Sequence, residues 1–222
     1  MPLRLKKEMN ELLNQLYTIE SMVEESVSLA VEAVLTRNTD LAQMVIENDR
    51  KIDLTEVELE EECLKVLALY QPVAGDLRLI VAILKMNNDL ERIGDLASNI
   101  AEKAIFLAEN EKTTIPYNFR KMSETAILML KECFDALSET APERAHKVRI
   151  MDDTLDTLNR EMYSTVESSI LKSVEKLDIY IHMMGISRNL ERVGDLAVNI
   201  AEDIIYMCEG SIIRHSHKNQ SR

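Results

Sequence analysis

Tryptophan is absent from this chain of 222 residues, and glycine and proline are scarce, at five and four. So few turn residues exclude a fold rich in tight turns and point to an all-α protein. Cysteine is also rare. Cys63, Cys133 and Cys208 are odd in number and far apart, so neither a disulfide framework nor a zinc spacing is present, which suits a reducing cytoplasm. Each falls in a helical pattern and reads as a small buried apolar residue. No apolar run approaches ~18 residues, so no transmembrane helix is expected. The opening MPLRLKKEMNELL is charged and amphipathic at once, without the apolar run or cleavage site of a secretory signal. Cationic residues are in deficit. Lys and Arg total 26 against 39 Asp and Glu, a formal net charge of -13. Such a surface repels phosphate backbones and argues against nucleic-acid binding; it suits cations and basic protein patches instead.

What the chain does have is a duplication. Leu90 to Glu102 reads LERIGDLASNIAE, and Leu190 to Glu202 reads LERVGDLAVNIAE, one hundred positions later and identical at eleven of thirteen positions. A repeat at this period implies two similar units. The apolar period predicts three helices in each. In the first, Leu12, Leu16, Ile19, Val23, Val27, Ala30 and Val34 form one stripe, ending near Thr36. The second runs from about Thr39 to Tyr70, capped by Thr39 or Asn38, with Val45, Ile52, Leu59 and Val66 seven apart. Pro72 and Gly75 break the pattern. The third carries Leu79, Ile83, Met86, Leu90, Ile93, Ala97, Ile100, Ala104 and Leu107, a bundle seam.

Residues 109–117 read as a linker. Met122, Ala126, Met129, Cys133 and Ala136 mark the fourth helix. Pro142 opens the fifth, whose stripe includes Val148, Leu155, Leu158 and Met162. The sixth repeats the third one hundred positions on. The expected architecture is two tandem pseudo-symmetric three-helix bundles, residues 1–110 and 111–210, with a polar tail over 211–222 that frays.

At ~100° per residue, Glu91, Asp95, Asn99 and Glu102 share a sector roughly opposite the apolar seam of the third helix. Glu191, Asp195, Asn199 and Glu202 do so on the sixth. An ordinary solvated face explains many such runs. Two details weigh against it here. Glu91 and Asp95 are like charges at i and i+4, which destabilises a helix by a few tenths of a kcal/mol. Gly94 and Gly194 sit mid-helix, each costing about 1 kcal/mol relative to Ala. Keeping both features twice calls for a close approach or for a cation. Oxygen ligands of this kind suit Mg²⁺, Mn²⁺ or Fe. Asp49 with Asp53 on the second helix, and Asp152 with Asp156 on the fifth, repeat the i, i+4 pairing. If neighbouring helices pack side by side, each half gathers four carboxylates and an amide.

Arg92 and Arg192 read as surface ion-pair partners. Of the histidines, only His146 has a glutamate three positions earlier, whereas a di-iron enzyme needs a Glu-x-x-His on each of two helices. His182 lacks one, and His215 and His217 lie in the tail. No phosphate-binding glycine loop and no Ser/His/Asp or Cys/His set is recognisable, so catalysis has no support.

The stretch QPVAGDLRLIVAILKMNNDLERIGDLASNIAE, with ISRNLERVGDLAVNIAE a hundred residues later, resembles the PhoU family, accessory proteins of phosphate-specific transport. The resemblance extends to about Glu209. It implies two symmetric three-helix bundles in a cytoplasmic negative regulator of the phosphate-starvation response. The implied partners are the ATPase subunit of a phosphate ABC transporter, a sensor histidine kinase and a second copy of the chain, with the membrane reached only through them. It also implies multinuclear iron or zinc clusters, with manganese or magnesium as alternatives. Their Glu/Asp-x-x-x-Asp motif matches Glu91 with Asp95 and Glu191 with Asp195, and in wider form Asp49 with Asp53 and Asp152 with Asp156. One departure is visible: QPVAGD precedes the third helix, but LKSVEK precedes the sixth. Two rival expectations stand beside this one, a metal-free helical scaffold and a carboxylate–metal phosphoryl-transfer enzyme.

Overall fold

A computed structural model describes residues 3–113 and 118–210. Its helices are α1 (Leu3–Thr36), α2 (Thr39–Tyr70), α3 (Ala74–Glu109), α4 (Phe119–Glu139), α5 (Pro142–Ile170) and α6 (Leu177–Glu209). A single 3₁₀ turn, Val174–Lys176, precedes α6. The tail expected to fray, including His215 and His217, lies outside the described residues, as does part of the linker.

Local chemistry sets the helix ends. Of the two candidate caps of α2, Asn38 serves, its Oδ1 accepting from the Asp40 and Leu41 amides at 3.0 and 3.1 Å. Pro142 sits in the first turn of α5, and Gly210 ends α6 at φ 70°, donating its N–H to the Tyr206 carbonyl. The break between α2 and α3 differs from expectation. Gly75 lies inside the first turn of α3, and the left-handed positions are Gln71 (φ 46°) and Ala74 (φ 49°). Gln71 turns the chain there by donating its N–H to the Leu67 carbonyl.

The predicted stripes are the core. From Leu12 to Val34 on α1, every stripe residue is buried, as are Val45, Ile52, Leu59 and Val66 on α2. On α3 the seam from Ile83 to Leu107 is buried too. Each Leu, Ile, Val or Met among them contributes roughly 1.5–3 kcal/mol. Helices α1, α2 and α3 pack on one another, and α4, α5 and α6 do the same. The halves meet along α3 and α6, which run antiparallel, and along α1 and α4. At the first junction Phe106 stacks on His182, with ring centroids 3.6 Å apart. At the second, Arg120 meets Glu32 at 2.8 Å, and Tyr17 meets Phe134 edge to face. One continuous apolar core therefore runs through both bundles. α3 is covered from more than one side: Leu96 and Asp89, outside the predicted seam, are buried as well.

Two paired carboxylate grooves

α2 lies beside α3, and α5 beside α6, so the assumed adjacency holds. Asp49 and Asp53 face Glu91 and Asp95 across the first groove, near enough that the Asp53 charge raises the carboxyls of Asp49, Glu91 and Asp95. Asp152 and Asp156 face Glu191 and Asp195 across the second. The mid-helix glycines account for the closeness. A Cβ added at Gly94 would stand 3.3 Å from Asp49 Oδ1 and 3.2 Å from Ile52 Cδ1. At Gly194 it would stand 3.1 Å from Asp152 Oδ1 and 2.5 Å from Leu155 Cδ2. Only glycine lets the aspartate reach that deep.

Both deep aspartates are frustrated in the same way. Asp49 Oδ1 and Asp152 Oδ1 are buried and have no hydrogen-bond partner. Burial, then the Asp53 and Asp95 charges, pushes the Asp49 carboxyl up to about 6, with the nearby Ser98 hydroxyl opposing the shift. Burial, then Asp156, Asp195 and Glu191, pushes Asp152 up to about 7. Glu91 and Asp95 are raised by burial and by the carboxylates around them. Glu191 and Asp195 are raised by burial and by neighbouring carboxylates, with Arg192 opposing in both cases. The second groove opens into a cavity of about 460 Å³ lined by Arg149, Ile150, Asp152, Asp153 and Val198.

The two asparagines have different surroundings. Asn99 spends its Nδ2 on the Asp95 carbonyl of its own helix, 2.8 Å away. Asn199 lines a different cavity, between α3 and α6, with Lys85, Asp89, Glu202 and Asp203. At ~100° per residue, Asn99 is turned a further 40° from Asp95, away from Glu91. Ser98 lies within hydrogen-bonding reach of Asp49, and Val198 lines the cavity beside Asp152. Arg92 pairs with Asp89 at 3.7 Å. Glu56 was missed. It shares the first groove, raised by burial, Glu60 and Asp53, and accepts from the Asn87 amide at 3.3 Å. Its signal was legible: Asp49, Asp53 and Glu56 continue one helical face. α5 has Asn159 in the matching place, accepting a 2.8 Å bond from Ser187.

Among the described residues, no three His, Cys, Asp or Glu side chains stand in an arrangement that grips one ion. The donor chemistry nevertheless suits a hard cation, with oxygen-only ligands, mutual repulsion and one orphaned oxygen at the floor of each groove. His146 stands 3.9 Å from Glu209, and His182 gives its Nδ1 to the Asp178 carbonyl, both away from the grooves. Cys63 and Cys133 are buried, and burial pushes the Cys63 thiol up to about 12, so neither is a reactive thiolate.

Two tandem three-helix bundles, pseudo-symmetric and each with a carboxylate groove over its second and third helices, define a class of all-α double-bundle protein. A sequence model of the PhoU domain matches residues 16–104 and again 119–204. The chain therefore belongs to the PhoU family. It is 39% identical over 216 residues, 97% of each chain, to an Aquifex aeolicus protein named phosphate-specific transport system accessory protein PhoU homolog. With the Escherichia coli K12 phosphate-specific transport system accessory protein PhoU it shares 29% identity over 208 residues, 94% of this chain and 86% of that one. The crystal structure of PhoU from Pseudomonas aeruginosa superposes with a TM-score of 0.88 at 33% identity, covering 93% of this chain and 99% of that chain. The phosphate transport system regulatory protein PhoU from Streptococcus pneumoniae gives 0.84 at 25% identity, covering 94% and 99%.

Proposed function

We propose that the chain is a regulatory accessory protein of a phosphate transport system, acting by protein contact rather than by catalysis. The names of its relatives support the phosphate assignment. In this reading it restrains the phosphate-starvation response as a dimer in the cytoplasm, linking the transporter's ATPase subunit to a sensor histidine kinase. No helix among the described residues is long and apolar enough to cross a membrane, so it would reach the bilayer through those partners.

The observation that carries the mechanism is the duplicated groove with an orphaned aspartate oxygen at its floor. Divalent or trivalent cations, iron or zinc with manganese or magnesium as alternatives, would be held by Asp49, Asp53, Glu91 and Asp95, and by Asp152, Asp156, Glu191 and Asp195. A bound cation supplies positive charge that relieves the carboxylate repulsion and reverses the sign of the surface. Asp49 and Asp152 would ionise to serve as ligands, which Gly94 and Gly194 permit sterically. The lack of a ready-made three-ligand grip favours the metal-free scaffold as the second reading.

Two measurements test the proposal. Deleting the gene should leave a phosphate-responsive reporter switched on in abundant phosphate; a normally repressed reporter removes the regulatory assignment. Elemental analysis of protein purified without chelator or histidine tag decides between a metal-bearing and a metal-free adaptor.

A further inference from the structure

The contact between α1 and α4, one of the two that join the bundles, holds an acid pair that belongs to neither groove. The two helices run antiparallel there. Arg120 meets Glu32 towards one end, and Tyr17 meets Phe134 towards the other. Between them Glu20 and Glu24, one turn apart on α1, lie within hydrogen-bonding reach of each other. Lys131 of α4 stands 3.7 Å from Glu24 Oε2, and the Glu24 side chain is only 18% exposed. Glu24 Oε1 is buried and has no hydrogen-bond partner. Among the described residues, the charges acting on Glu20 and Glu24 are each other, Lys131 and Asp135, and none comes from α2 or α3. Asp135 is itself paired with Arg144 of α5. Tyr17, beside the pair, feels the charges of both Glu20 and Asp135.

A single proton settles this arrangement. On Glu20 it makes an O–H that donates to Glu24, supplying a donor to the buried carboxylate, and it leaves one charge for Lys131 to balance. On Glu24 it would leave Lys131 beside a neutral group. Burial, then the Glu24 charge, pushes the Glu20 carboxyl up to about 7, with Lys131 opposing. The pair occurs once. The two matched domains begin at Leu16 and Phe119, and in that register Glu20 and Glu24 fall on Ser123 and Ile127. It is therefore separate from the duplicated grooves. We propose that Glu20 and Glu24 share one proton and make the α1–α4 joint between the bundles a pH-sensitive contact, closed by the proton and loosened when it leaves. The folded pair holds its proton above the range where glutamate ionises in the unfolded chain, about 4. Its contribution is full at low pH, declines as pH rises through about 7, and is lost above that. Deprotonation then sets two carboxylates beside one lysine on the surface that docks α1 against α4. The joint helps to fix how the two grooves sit relative to each other, so their placement is linked to pH near neutrality.

Hydrogen–deuterium exchange of the full chain, freed of metal by chelator, tests this apart from phosphate and partners. Peptides covering residues 16–27 and 128–139 report the two sides of the joint, after correction for the intrinsic pH dependence of amide exchange. From pH 5 to pH 8 their protection should fall about tenfold, a figure already discounted for partial burial. Glu20→Gln keeps an N–H donor for Glu24 and carries no charge, so its protection should change less than about twofold. Lys131→Met removes the opposing cation, so the midpoint of the loss should move up by about one pH unit. That variant leaves both carboxylates in place and keeps the test decisive should glutamine at position 20 disturb folding. Four results overturn the proposal. Protection at the joint stays constant from pH 5 to pH 8; it falls equally in the parent and in Glu20→Gln; it falls equally in all six helices; or the midpoint in Lys131→Met stays put or moves down.

Discussion

Replacing Asp152 with asparagine probes the second groove without disturbing its shape. Burial and the charges of Asp156, Asp195 and Glu191 raise this carboxyl from its ordinary 3.8 to about 7. In the unfolded chain it ionises near 4. Between these values the folded state holds a proton that the unfolded state has lost. Stability from this group is therefore highest at low pH, falls as pH rises through the window, and reaches its floor above about 7. A shift of about three pKa units is about 4 kcal/mol before screening. Asp152 is only half-buried, and solvent reduces the figure to about 1–2 kcal/mol. Asparagine removes the charge and offers an amide to the neighbouring carboxylates. In chelator-treated protein at pH 8, Asp152→Asn should melt about 2–8 °C above the parent. At pH 4 the two should nearly coincide. Adding Mn²⁺ at pH 8 should raise the parent's melting temperature more than the variant's. Thermal unfolding followed by far-UV circular dichroism reads all three. A parent more stable than the variant at pH 8, or an equal gain at both pH values, refutes the view that Asp152 is held against its preferred ionisation.

Three further outcomes follow from the same geometry. Gly194→Ala should destabilise by about 1–2 kcal/mol more than Gly94→Ala in urea titrations, because its Cβ meets the buried Leu155 side chain at 2.5 Å, whereas the closest contact at Gly94 is 3.2 Å. Equal midpoints would show that α5 and α6 are not packed as tightly as described. Leu90→Asp buries an unpaired carboxylate at a fully enclosed position and should abolish cooperative unfolding or solubility; a wild-type melt would mean that α3 is oriented wrongly. Replacing Asp95 and Asp195 together with Ala should remove most bound metal while helicity stays intact, since both side chains are exposed; unchanged metal content rules out the grooves as the metal sites.

Much of the site was legible because its logic is helical. Period alone places Glu91 and Asp95 on one face, and the i, i+4 aspartates of α2 and α5 on another, whatever they pack against. Glu56 obeys the same rule and was readable in principle. Asn99 and Asn199 show where the rule ends. A sector of 80° is one face to an isolated helix, but a helix flanked on both sides divides it between neighbours. Asp95 goes to the α2 groove, and Asn199 goes to the seam.

The sequence by itself determined the six helices, the apolar stripe of each and the duplication, because periodicity and capping are local properties of the chain. It also determined that like charges are kept beside a mid-helix glycine in both halves. Only the tertiary structure decided which helix covers which face. That α3 packs on α1, α2 and α6 buries Leu96 and Asp89, which no single stripe marks. That α3 and α6 run antiparallel brings Lys85 to Asp203, 118 positions away, and sets Lys103 over Gly185. These pairings depend on how two bundles dock, and docking follows the shape and charge of whole surfaces, which no spacing along one helix encodes.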